Sequence, residues 1–183
     1  YGMQPNTGSA AIHGWRGGDI LYAEPSGFIG IYAISTDLGL DTLGADTDDV
    51  DALAICENGS GGFQRNNAPF DWLTGASDMV LFSVRRGSKV IGNTDCLQGL
   101  PIEPGDILIP PLPGYAVPGI LVAAEALGLH TLRSGALINV DDLDALDTLH
   151  DEPTVQEHCS ADGGAVPCPC GNNGAPGRGC GNS

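Results

Sequence analysis

The residues best placed to do chemistry are aspartates. Asp46, Asp48, Asp49 and Asp51 fall within six residues, and Asp141, Asp142 and Asp144 repeat three of them beside Asn139. A hard cation such as calcium takes about six to eight oxygen ligands, which closely spaced carboxylates and loop carbonyls can supply. Counted from Asp46, however, Val50 and Asp51 stand where an EF-hand loop needs a ligand and a glycine, so that loop type is excluded. A solvated acidic edge that discourages strand-to-strand aggregation accounts for the same residues without a metal. On the sequence alone both readings stay open, with calcium as the expected cofactor.

The other chemistries are thinner. A glycosidase needs two carboxylates at a set separation in a cleft, and nothing singles out such a pair among 23 acids. The four histidines are scattered, and Ser60 in NGSGG is a loop serine without the GxSxG context of a nucleophile elbow. Trp15, Trp72, Tyr22, Tyr32 and Tyr115 could stack on sugar rings, although so few aromatics more often serve as core or rim packing. The expectation is therefore a protein that is not an enzyme.

The acidic blocks sit inside a duplication. DDVDAL at 48–53 returns as DDLDAL at 141–146, GDIL at 18–21 as GDIL at 105–108, GIYA at 30–33 as GILV at 119–122, and LGLDTL at 38–43 as LGLHTL at 127–132. Four blocks in one order, each about 90 residues apart, mark a tandem repeat. Each unit reads as strand, turn, strand and one helical turn closed by a left-handed glycine (Gly39, Gly128), then an acidic block read as a further strand. Residues 10–15 are read as the opening strand of the first unit, laid weakly on the 81–87 stretch that opens the second. Residues 60–77 form a long loop, and MVLFSV within 78–86 is the clearest buried strand.

The expected fold is all-β: two tandem pseudo-symmetric four-strand units, about 10–58 and 78–150, forming a sandwich or partly closed barrel with short helical turns. That duplicated domain takes 1–158, and 159–183 is a Cys/Gly-rich tail. Six cysteines in an acidic chain whose only lysine is Lys89 favour an oxidising compartment and disulfides over zinc, because Cys168 and Cys170 are too close for a zinc knuckle. Cys56 is expected to bridge Cys96, and in the tail Cys170 to bridge Cys180 and Cys159 to bridge Cys168.

The net charge of −16 argues against nucleic acid and anionic lipid, whose capture depends on clustered Lys and Arg. No apolar run is long enough to cross a bilayer, and no cationic leader precedes the chain, which therefore reads as a mature soluble product.

The order VLFSV, GDIL, LGL, DDLDAL, followed by CPCGNNGAPGRGC, resembles repeat domains of large secreted proteins of planctomycete-type bacteria. The resemblance spans about 18–183, implies secretion and a β-rich repeat within a longer polypeptide, and carries over no catalytic residues. The function expected is a secreted or cell-surface building block of a fibre, layer or adhesin that binds calcium and contacts copies of itself. The alternatives are a carbohydrate-binding module and, further off, a polysaccharide-acting enzyme. A duplication also predicts matching backbone in the two units, including the two DDxDAL blocks.

Overall fold

The computed structural model describes residues 8–136 and 140–147. Backbone contacts divide the chain into Tyr1–Thr148 and Leu149–Ser183, and everything below concerns the first unit. Asn139 and the tail cysteines Cys159, Cys168, Cys170 and Cys180 lie outside the described residues.

The chain is mostly β. Strands β1 (Ile20–Ala23) and β2 (Ile29–Ala33) form an antiparallel hairpin, and β3 (Val50–Cys56), β4 (Met79–Val84), β5 (Ile107–Ile109) and β6 (Gly119–Val122) form an antiparallel sheet in that order. No barrel closes among the described residues. MVLFSV is indeed the buried strand: as the second of four it is covered on both faces, and Val80, Phe82, Ser83 and Val84 are fully buried. Phe82 and its neighbours pack with Leu38, Leu40, Val90, Ile102, Leu108 and Ile120, which draws the core from both repeats.

Within the hairpins and the turns that follow them, the duplication extends to single atoms. In the first repeat the Asp19 carboxylate accepts the backbone N–H groups of Arg16 and Ser35, at 2.9 and 2.8 Å. In the second, Asp106 accepts those of Glu103 and Ala124, both at 2.8 Å. Each aspartate thus ties the turn before one hairpin strand to the start of the 3₁₀ turn after the other, Ser35–Leu38 or Ala124–Leu127. Gly39 and Gly128 close those turns at φ 77° and 80°, a left-handed conformation in which a Cβ is strained. The Asp48 carboxylate then accepts the N–H of Asp41, and that of Asp141 accepts the N–H of His130. Even the packing at GDIL is shared. A methyl group on Gly18 would meet Ser35, the Asp48 carbonyl and Leu40 at 2.8, 3.2 and 3.3 Å, and one on Gly105 would meet Ala124, the Asp141 carbonyl and Leu129 at 3.1, 3.3 and 3.0 Å.

The units are nevertheless not two sets of four strands. The stretch expected to open the first is a short helix, α1 (Gly8–His13). Ala10 and Ala11 favour helix, and Gly14 at φ 70° stops it, with the N–H groups of Gly14 and Trp15 both donating to the Ala10 carbonyl. The matching backbone expected of the two DDxDAL blocks is not found: DDVDAL runs into β3, whereas residues 140–147 carry no strand. The reason lies in the sheet, where β4 already pairs with β3 on one side and β5 on the other, leaving no free edge there for the second block. The repeats share one sheet instead of building two equal ones.

Candidate metal centre

The two acidic blocks meet at an irregularity in β3. Val50 pairs with Val84 but Leu53 with Phe82, so β3 carries one residue more than β4 across this interval. At this bulge the Ala52 N–H donates to the Ser83 hydroxyl at 3.0 Å. That hydroxyl donates in turn to the Leu143 carbonyl at 2.6 Å, which hangs the second block on β4 beside the bulge. Asp142 and Asp144, flanking Leu143, then come beside Asp51, and one carboxylate oxygen from each lies within 4.8 Å of the others.

The cluster is electrostatically strained. Burial together with the charges of Asp144 and Asp142 pushes the Asp51 carboxyl above the ordinary aspartate range, and Arg85 opposes this only in part. Arg86 grips Asp142 through two contacts, Nε to Oδ2 at 2.7 Å and an Nη to Oδ1 at 2.8 Å, orienting it and offsetting one of the three charges. Arg85 sits 3.5 Å from Asp49, whose carboxyl is also pushed up, chiefly by burial. Oxygens arranged around calcium at about 2.4 Å can be at most about 4.8 Å apart, a limit that the three carboxylate oxygens meet.

Of the other predicted ligands, two serve the fold. Asp48 is buried, with the Val90 N–H on one oxygen at 2.7 Å and the Asp41 N–H and Thr47 hydroxyl on the other. Asp141 holds the His130 N–H at 2.9 Å. Asp46 stands apart in the 41–49 loop at φ 54°, with one buried carboxylate oxygen lacking a hydrogen-bond partner. The structure therefore brings together Asp51, Asp142 and Asp144 and leaves Asp46, Asp48, Asp49 and Asp141 outside the group. Ser83 and Arg86 were not among the residues expected here. The signal for Ser83 is its position as the one polar residue inside an apolar strand, and for Arg86 its pairing with Arg85 in a chain of only seven basic residues.

No family model, curated protein or solved structure matches this chain. What it can do is therefore read from its own residues.

Cys56 and Cys96 are free thiols, which corrects the bridge expected between them. Cys56 ends β3, opposite Met79, while Cys96 lies beside the start of β6, its N–H donating to the Pro118 carbonyl. β3 and β6 are opposite edges of the sheet, three strand spacings or about 14 Å apart, twice what a disulfide can span. The expectation failed because the chain after β4 crosses to the far edge instead of returning beside β3.

The aromatics that could face sugars are dispersed. Trp15 stacks on His13 at 4.3 Å, Trp72 leans on Phe70 at 5.3 Å, and Tyr32 meets Phe63 edge-on at 5.9 Å. Among the described residues no helix is long and apolar enough to cross a membrane.

Proposed function

We propose that this chain is a calcium-stabilised structural module of an extracellular or cell-surface assembly. The observation that carries the reading is the convergence of Asp51, Asp142 and Asp144, one from the first acidic block and two from the second, on a shared position with an excess of negative charge. An all-oxygen donor set favours a hard cation over zinc or copper. Carboxylates on irregular backbone suit the tolerant coordination of calcium better than the strict octahedron of magnesium. An ion there would bind the two repeats to each other, a structural role.

Self-association is supported by the β1–β2 hairpin, where Tyr22, Phe28, Ile29, Ile31 and Ile34 are all exposed on a sheet that has two strands among the described residues. Exposed apolar strands of this kind mark interaction surfaces. The test is titration calorimetry of the full chain with calcium, alongside light scattering with calcium and with chelator. Saturable binding that raises the melting temperature, with concentration-dependent growth in mass, is the expected result. Absence of saturable binding overturns the calcium reading, and a monomer at high concentration with calcium overturns the assembly reading.

A further inference from the structure

We propose that a recess beside the β1–β2 hairpin, separate in its residues from the acidic cluster, receives a lysine side chain of a basic partner protein. The recess has a volume of about 360 Å³ and is lined by Tyr22, Ile31, Tyr32, Glu57 and Gly62. Its polar groups are few and specific. The Tyr32 hydroxyl donates its proton to Asp78 at 2.6 Å and is thereby fixed. The Glu57 carboxylate is exposed and makes no hydrogen bond or ion pair among the described residues. Tyr22 lies over Gly30, where an added Cβ would sit 2.5 Å from its ring, so the glycine leaves room for the aromatic side chain to settle on the hairpin while remaining 42% exposed.

An apolar and aromatic wall leading to one unpaired carboxylate matches a side chain with a methylene stem and a cationic head. The head would find both the ion-pair partner and two tyrosine side chains. A net charge of −16 raises the local concentration of cations. A neutral sugar is the poorer fit, because it brings no counter-charge to the Glu57 carboxylate. A second copy of the chain is a poor source of that side chain, since it carries a single lysine.

The test is an NMR titration of the full chain with Nα-acetyl-lysine amide, with its uncharged counterpart Nα-acetyl-norleucine amide, and with glucose. Saturating shifts confined to Tyr22, Ile31 and Glu57, with lysine bound about tenfold more tightly than norleucine, would establish the site. Because Tyr22→Ala could disturb the hairpin, the decisive variant is Glu57→Gln, which should weaken lysine about two- to fivefold and leave the rest of the spectrum unchanged. Equal binding of lysine and norleucine, preference for glucose, shifts spread over the surface acids, or an unaltered affinity in Glu57→Gln would each overturn the proposal.

Discussion

The Ser83 hydroxyl donates to the Leu143 carbonyl at 2.6 Å, and this bond ties the end of the second repeat to the strand that opens it. The same oxygen accepts the Ala52 N–H of the first repeat, so one fully buried hydroxyl holds both acidic blocks. Ser83→Ala should leave a buried N–H without a partner and cost about 1–3 kcal/mol in denaturant unfolding. It should also weaken the calcium binding proposed above, since Asp142 and Asp144 flank Leu143.

Asp51→Asn tests the strain in the cluster. The variant should be slightly more stable than the parent in the presence of chelator and should lose the rise in melting temperature on adding calcium. Because the folded-state pKa of Asp51 is raised, the folded chain holds this proton more tightly than the unfolded chain. Its charge is then unfavourable above the folded pKa and relieved as pH falls through it. A stability profile of parent against variant from neutral pH to pH 4, without metal, should show the difference shrinking on acidification.

Asp95 titrates the other way. Burial alone would raise its pKa, but the N–H groups of Gln98, Ile120, Leu100 and Leu97 all donate to its carboxylate and together hold it below the ordinary range. The stabilisation is present above the unfolded pKa near 3.8 and is lost as pH falls through the lowered folded value. Asp95→Asn should cost about 2–3 kcal/mol and remove much of this acid dependence. With Gln98, whose amide donates to the Ile120 carbonyl at 2.7 Å, Asp95 also caps the outer edge of β6, so the variant should aggregate more readily.

Arg133 is the counter-ion of the second repeat. It contacts the fully buried Asp106 and also Glu125, holding Glu125 down at about 2 with help from the Thr131 hydroxyl. Glu103 nearby is buried with one carboxylate oxygen unpartnered, and burial pushes its carboxyl up. Arg133→Ala should cost about 3–5 kcal/mol by stranding Asp106. Thermal melts should also show the Glu125 contribution, complete above 4.5 in the parent and lost as pH falls toward about 2, absent from the variant.

Gly18→Ala and Gly105→Ala provide a test of the duplication in solution. Each places a methyl group against the equivalent trio of atoms, at distances of 2.8–3.3 Å and 3.0–3.3 Å. Both should destabilise by about 1–3 kcal/mol, and by similar amounts. A large cost at one position with none at the other would mean that the two hairpins are not packed alike.

Much of this architecture is legible in the sequence because it is local. The hairpins, the 3₁₀ turns closed by Gly39 and Gly128, and the buried β4 all follow from turn chemistry and apolar runs. What is not legible is which strands become neighbours. Cys56 and Cys96 are separated because residues 85–106 cross the sheet, and no pattern in those residues announces that crossing. The aspartates mislead for a different reason. Asp19, Asp48, Asp71, Asp78, Asp95, Asp106 and Asp141 all accept backbone N–H groups, so much of what reads as acidic surface is internal bracing of turns. Only the geometry separates those from the three carboxylates that face one another.

Pairing β3 from one repeat with β4 from the other has a consequence for how the chain is made. During synthesis β3 emerges first and must wait for the long connection after Cys56 before its partner arrives, with Leu53 and Ile55 on an unpaired strand in the meantime. The first repeat is thus incomplete on the ribosome. For the same reason the strand of the first acidic block completes its pairing only once part of the second repeat has emerged.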